Sequence, residues 1–298
     1  MNQARADDRK MIDADGGQVN ALSNRLSQLE AQEEGWIYRY WHNNQGRLGR
    51  FFWMNPWQVS MLRIYGDVLV VDISEARNIY NMYLTTIIVI DSENKSRDAA
   101  FCLSERQDAT TFEWIFQLIQ YAMCKDPNQF TKLTAVFSDR ALAIALAIAE
   151  VWPDVFHGQC LWHLLGNLMK NLQGLLGQPR WGRFMSDFWQ VYRKGSRQTF
   201  EEAWSRLLDE YPETIPYLQG DVYRDRHRWA WAWVGTRFTC GLRTTGRVET
   251  EHKNYKLLGL GRDSTLVQAF DLLCARSAYQ RHQTFEKNLA VCPWILWE

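Results

Sequence analysis

The sequence predicts an α/β fold interrupted by a helical segment, and three observations carry that expectation. Apolar and β-branched runs crowd between residues 67 and 103 with short connections, which suits antiparallel strands. Beyond residue 108, short apolar runs alternate with stretches of helical spacing, the pattern of strand–helix units. From about Leu175 to Phe238 the strand signal gives way to a Trp- and Arg-rich helical stretch. A length of 298 residues holds about two domains, or one with a large insertion.

Composition narrows the function classes. Lys plus Arg and Asp plus Glu each total 34, so the formal net charge is zero. That excludes a strongly basic coat, and any nucleic-acid contact has to come from local patches. A hydrophobic content of 46% with 23% charged residues argues for a folded chain. The 15 Trp, 12 Tyr and 14 Phe read mainly as core, with a minority available to stack on bases. Six scattered cysteines (Cys102, Cys124, Cys160, Cys240, Cys274 and Cys292) read as reduced thiols of an intracellular protein. The amino-terminal MNQARADDRK lacks the apolar stretch of a secretory signal. The apolar run Ala141–Ala149 falls far short of the roughly 20 residues that cross a bilayer, so no membrane partner is expected.

In chain order, residues 1–18 are a polar tail, and Leu22, Leu26 and Leu29 set a helix over Val19–Glu33; together they make a first segment, 1–33. The stretch Trp36–Trp57 is aromatic and basic, and RYWHNNQGRLGRFFW within it (Arg39–Trp53) resembles a short hairpin, inside a lead-in at 34–62. The first part of the core, 63–174, opens with Asp67–Ile73 (DVLVVDI), Tyr83–Ile90 and the shorter Ala99–Leu103 as an antiparallel meander. A helix over Ala109–Cys124 follows, with Phe112, Ile115, Phe116, Ile119 and Met123 on one stripe. Then come a strand at Leu133–Phe137, a helix at Arg140–Val151 that is apolar on nearly all sides and expected to be buried, a strand at Val155–Gln159, and a helix at Leu161–Leu172. The helical insertion spans 175–243, and 244–298 holds helices at Val248–Leu258 and Thr265–Gln283. The order β-β-β-α-β-α-β-α, interrupted by helices before its last helix, is that of a ribonuclease H-like core.

Asp72 and Asp139 stand out. Asp72 lies inside the apolar run LVVDI, where a lone carboxylate is costly unless compensated. Asp139 ends the VFS strand just before a helix, and an N-terminal cap is the competing explanation. If the two strands lie parallel and adjacent, both carboxylates emerge at the same sheet edge, where ligands collect in α/β sheets. Clustered carboxylates resist joint ionisation, and hard divalent cations relieve that repulsion. A pair of Mg²⁺ or Mn²⁺ ions there suits phosphodiester cleavage. A third acid comes from TTGRVETEHKNYK. Glu251 shares a mostly apolar helical stripe with Val248 and Tyr255, whereas Glu249 shares a polar, basic stripe with His252, Lys253 and Lys256. A phosphate-binding groove favours Glu249, with Glu251 as its rival; a solvated Glu249–Lys253 pair is the plainer alternative.

Four stretches, YGDVLVVDISEARNIYNMYL, SERQDATTFEWIFQLI, FSDRALAIALAIAEVWPDVFHGQCLWHLLGNL and TTGRVETEHKNYK, together resemble the transposase domain of Mutator-like elements, related to the far-red-response transcription factors of plants. The resemblance covers about Tyr65 to Phe270. It implies a ribonuclease H-like fold with a helical insertion and an Asp-Asp-Glu metal triad. It also implies cutting of DNA at element ends, joining to a target, and a place in the nucleus. Asp72, Asp139 and Glu249 fall on the three acids, and Cys160 and His163 on the family's Cys-x-x-His pair. The implied partner is DNA, with self-association left open.

Departures accompany the match. Ser74 and Glu75 stand where the family usually has Thr-Tyr, Ser138 precedes the second acid where Thr is common, and His252 and Asn254 offer an altered register after the third. No zinc-finger module is expected before the core and no zinc knuckle after it, which raises the alternative of a truncated or domesticated copy acting as a DNA-binding or regulatory protein. For HGQCLWH a structural zinc is disfavoured, because such sites draw four ligands from two paired motifs and no second pair is evident; Cys160 and His163 then serve structure or DNA positioning. Three basic groups are candidates for phosphate contact: Arg180, Arg183, Arg193, Lys194 and Arg197; then Arg224, Arg226, His227 and Arg228; then Arg243, Arg247, Lys253, Lys256 and Arg262. The third flanks the presumed active acid and is preferred. Trp229 and Trp233 read as core on a shared helix face.

Overall fold

A computed structural model of the chain describes residues 17–75, 78–124 and 132–291. Residues 1–16 of the expected polar tail and Cys292 lie outside the described residues. The fold is mixed α/β. Its elements are α1 (Gln18–Gln32), β1 (Ile37–His42), β2 (Leu48–Met54), α2 (Pro56–Tyr65), β3 (Val68–Ser74), β4 (Tyr83–Ile90), β5 (Ser96–Ser104) and α3 (Ala109–Cys124). They continue with β6 (Ala135–Ser138), α4 (Leu142–Val151), β7 (Phe156–Gln159), α5 (Leu161–Tyr192) and α6 (Arg197–Glu210). Short helical turns fill 212–234, followed by α7 (Gly246–Leu257) and α8 (Leu266–Val291). The strands form a seven-stranded, mostly antiparallel sheet in the order β1-β2-β5-β4-β3-β6-β7. The chain divides into two compact units.

Among the described residues, the first unit comprises 17–66, 72–75, 78–124 and 248–291. Here β1 and β2 form the expected hairpin, closed by Asn43, whose side-chain oxygen accepts from the Gln45 and Arg47 backbone N–H groups. β2 continues the meander by pairing with β5, and β5 with β4. Successive residues of β2 face opposite ways, and both ways are covered. Phe51 and Trp53 pack with Phe270 of α8, while Phe52 meets Trp114 of α3 edge-on. The hairpin ends at Met54, one residue beyond RYWHNNQGRLGRFFW, and the lead-in then passes into a helix, Pro56–Tyr65. That helix begins with a capping box in which Asn55 accepts from the Gln58 N–H and the Gln58 side chain accepts from the Asn55 N–H, with Pro56 in the first turn. β5 is longer than Ala99–Leu103, because Arg97 and Asp98 belong to it. Arg97 pairs with Asp91 at 2.6 Å, and the Asp98 carboxylate accepts from the Tyr255 hydroxyl at 2.6 Å.

The second unit comprises Asp67–Val71 and Lys132–Arg247. The start of β3 pairs in parallel with β6 (Val68 with Ala135, Leu69 with Val136, Val70 with Phe137), and β6 pairs in parallel with β7. β6 (AVFS) is short, mostly apolar and buried, as crossover-linked parallel strands require, whereas β7 (FHGQ) is short and largely buried but carries polar residues. α4 departs from expectation. It buries Ile144, Ala147 and Ile148, a single helical face, and leaves Leu142 72% and Leu146 53% exposed. α5 runs well past Leu172 but is broken at Gly177, whose φ of 69° is open to glycine, with Pro179 just beyond. Its two limbs, α6 and the following turns enclose an aromatic core of Phe184, Phe188, Phe200, Trp204 and Trp229. Trp233 packs against this core, as expected, but the chain turns at Ala230 (ψ 138°), so Trp229 and Trp233 lie on two short helices rather than one.

Candidate functional site

In the first unit Asp72 lies in the last residues of β3. The carboxylate is 7% exposed, and its Oδ2 lies 3.4 Å from His252 Nδ1. The imidazole is held at its other side too, with Nε2 3.2 Å from Thr86 Oγ1 on β4. His252 belongs to α7, and Glu249 precedes it by three residues, so both share one face of that helix. Glu249 is half-buried in the first turn, where the helix dipole favours a negative charge.

Glu251 has a different environment. It is 5% exposed and bound to the Arg276 guanidinium through both oxygens, at 3.0 Å (Oε1) and 2.9 Å (Oε2), with Gln280 Nε2 at 3.4 Å. Gln280 Oε1 accepts from the Asp98 N–H. Asp98 is wholly buried and its carboxyl is pushed up to about 7, by burial first and the Glu251 charge second. Glu251 is thus part of an internal charged network that ties α7 to β5 and α8, and its carboxylate is engaged by protein donors. Lys253 and Lys256 are exposed on α7.

In the second unit Asp139 follows β6 directly. Its Oδ1 accepts from the Ala141 N–H at 3.0 Å, while the N-cap position of α4 is Ala141, so Asp139 closes a turn ahead of the helix rather than capping it. Its neighbours are fixed by the insertion. Arg140 binds Asp221 (3.2 Å) and Asp225 (3.1 Å), and Arg228 reaches His157, with Nη2 2.9 Å from Nδ1. His157 in turn lies 2.7 Å from Ser138 Oγ. Burial, then the Arg228 and His227 charges, push the His157 value down to about 2, so the ring is neutral. The second basic group is therefore partly internal: Arg228 serves β7, and Arg226 pairs with Glu201 and stacks on Tyr223.

Cys160 occupies the N-cap position of α5 and is fully buried. Its sulfur accepts from Thr245 N–H (3.2 Å) and Thr245 Oγ1 (3.0 Å), and Thr245 Oγ1 also lies 3.4 Å from His163 Nδ1. Burial raises the thiol's value, but hydrogen bonds from His163 and Thr245 outweigh it, and the net direction is down. With the Leu161 N–H donating to Arg243 O, these contacts hold residues 243–245, the end of the insertion, against the start of α5. Arg247 is half-buried in the first turn of α7.

Sequence reasoning grouped His252 with the polar stripe but missed it as the partner of Asp72; its spacing of three from Glu249 was the available signal. Thr86, Thr245 and Arg228 carried none, since their roles depend on long-range packing.

Comparison with known proteins adds independent ground. Residues 68–167 match the MULE transposase domain, in agreement with the resemblance that the four stretches carry. The chain is 25% identical over 239 residues, 78% of its length, to Protein FAR1-RELATED SEQUENCE 5 of Arabidopsis thaliana, and covers 29% of that relative. It is 22% identical over 222 residues to FAR1-RELATED SEQUENCE 4 and 24% identical over 212 residues to FAR1-RELATED SEQUENCE 12 of the same plant, covering 29% and 25% of them. The chain spans less than a third of the length of these relatives. Among the described residues no helix is long and apolar enough to cross a membrane.

Proposed function

We propose that this chain is a transposase-derived, ribonuclease H-like domain in which Asp72, Asp139 and Glu249 bind two divalent cations for cleavage and joining of DNA phosphodiesters. The observation that carries the reading is register. β3 and β6 run parallel at a constant offset of 67 residues (Val68 with Ala135), and the same offset separates Asp72 from Asp139. The donor set fits Mg²⁺ or Mn²⁺. All three candidates offer hard carboxylate oxygens, and the Asp72 carboxyl group is enclosed at the sheet. Glu249 is favoured over Glu251, because Arg276 already neutralises Glu251.

When bound, such ions activate an attacking water or hydroxyl and stabilise the leaving oxygen. The chain's own residues do the rest. The Ala141 N–H orients the Asp139 carboxylate, and the first turn of α7 supports the charge on Glu249. Arg247, Lys253 and Lys256 supply positive charge along α7 for the phosphate backbone. DNA is the implied partner, and the nucleus the implied compartment.

A second reading, a domesticated DNA-binding or regulatory protein that keeps the fold, is favoured by one observation: the relatives above are FAR1-related sequence proteins. Mn²⁺-dependent nicking of a plasmid separates the two. Catalysis predicts nicking that Asp72→Ala, Asp139→Ala and Glu249→Gln each reduce by at least about a hundredfold. Folded native protein without nicking under Mg²⁺ or Mn²⁺ supports the second reading.

A further inference from the structure

We propose that His252 is a positioning residue that sets the first acid for metal binding, an inference that rests on the metal-triad reading. The imidazole is nearly enclosed and touches two strands at once, Asp72 of β3 through Nδ1 (3.4 Å) and Thr86 of β4 through Nε2 (3.2 Å). Its ring also lies beside Tyr255, whose hydroxyl is anchored on Asp98 of β5. A ring in contact at both nitrogens and along one side has little freedom to turn. Nδ1 faces Asp72 Oδ2, and because an ionised carboxylate only accepts, a proton carried on Nδ1 is directed at that oxygen and holds the orientation of the carboxyl group. Because α7 carries Glu249 one turn earlier on the same face, the contact also fixes the helix bearing the third acid against the strand bearing the first. His252 touches no substrate in this account; it acts through Asp72.

The test is Mn²⁺ binding to the full chain, followed by the electron paramagnetic resonance of free Mn²⁺, beside thermal melts of each variant. The variants are Asp72→Asn, His252→Ala, His252→Asn and Thr86→Val. Asn keeps a donor at the Nδ1 position; Ala keeps none. Loss of an outer-sphere partner weakens metal affinity by about 10–100-fold, and that is expected of His252→Ala. His252→Asn should restore affinity to within a few-fold of native, and Thr86→Val should fall between. A contact that merely holds the fold predicts lowered melting for Ala and Asn alike, with affinity tracking melting temperature rather than the retained donor. If His252→Ala does not fold, the Asn and Thr86→Val variants carry the comparison. Native affinity in His252→Ala, while Asp72→Asn abolishes binding, overturns the positioning role and leaves the triad standing. A native chain that binds no Mn²⁺, or an Asp72→Asn chain that binds as native, overturns the triad reading and this inference with it.

Discussion

Two glutamates two residues apart on α7 have opposite fates, and the difference is set by what faces each side of the helix. Glu251 points into the first unit's interior and meets Arg276, with side chains 7% and 16% exposed. Removing the guanidinium leaves a buried carboxylate without compensation, so Arg276→Met should cost about 3–5 kcal/mol in urea unfolding. Glu249→Gln, a change to a first-turn acid, should cost only about 0.3–1 kcal/mol. Equal costs would contradict the assignment of Glu251 to structure. Asp98 gives a second residue-level test. Burial and then the Glu251 charge raise its carboxyl, against Tyr255, Arg276 and Arg97, which favour the ionised form. A carboxyl raised in the folded state keeps its proton where the unfolded chain has lost it. Its contribution is complete below about pH 4 and fades as pH rises towards 7. Native stability relative to Asp98→Asn should therefore fall by more than about 1.4 kcal/mol, the equivalent of one pKa unit, between pH 4 and pH 8. Parallel pH profiles for the two proteins would refute it.

At the level of elements, strands whose apolar pattern is unbroken were readable almost to the residue, and those that bury charge were not. DVLVVDI and YLTTIIVI carry their own signal. β5 hides its first residues behind Arg97 and Asp98, which are buried only because Asp91 and Tyr255 receive them from elsewhere in the chain. α2 was missed although Asn55-Pro56-Trp57-Gln58 spells a capping box, because the aromatic run before it suggested strand. That cap is testable. Asn55→Ala removes the acceptor for the Gln58 N–H and a 2.8 Å contact to Ser277 of α8, and should cost about 1–2 kcal/mol. A change below a few tenths would show that the cap is dispensable. α4 shows the opposite error. Its Ala/Leu/Ile composition suggested burial all round, yet composition does not say how many faces find a neighbour, and here one does.

For the whole molecule, neutral net charge directed attention to local patches, and the α7 lysines remain exposed. The second basic group is only partly exposed, since Arg226 and Arg228 are drawn into contacts with Glu201 and His157 that no local pattern announces, while Arg224 and His227 stay on the surface. The candidate acids drew notice in the sequence because a carboxylate inside an apolar run, as at Asp72, is rare. The supports, His252 against Asp72 and Thr245 against Cys160, join residues more than 80 positions apart and drew none. The central claim is that Asp72, Asp139 and Glu249 share divalent cations. Anomalous diffraction from crystals of the protein soaked in Mn²⁺ tests it most directly. The account predicts manganese peaks within about 2.0–2.3 Å of carboxylate oxygens of all three acids, with none on Glu251. Manganese bound elsewhere, or on Glu251 in place of Glu249, would contradict it.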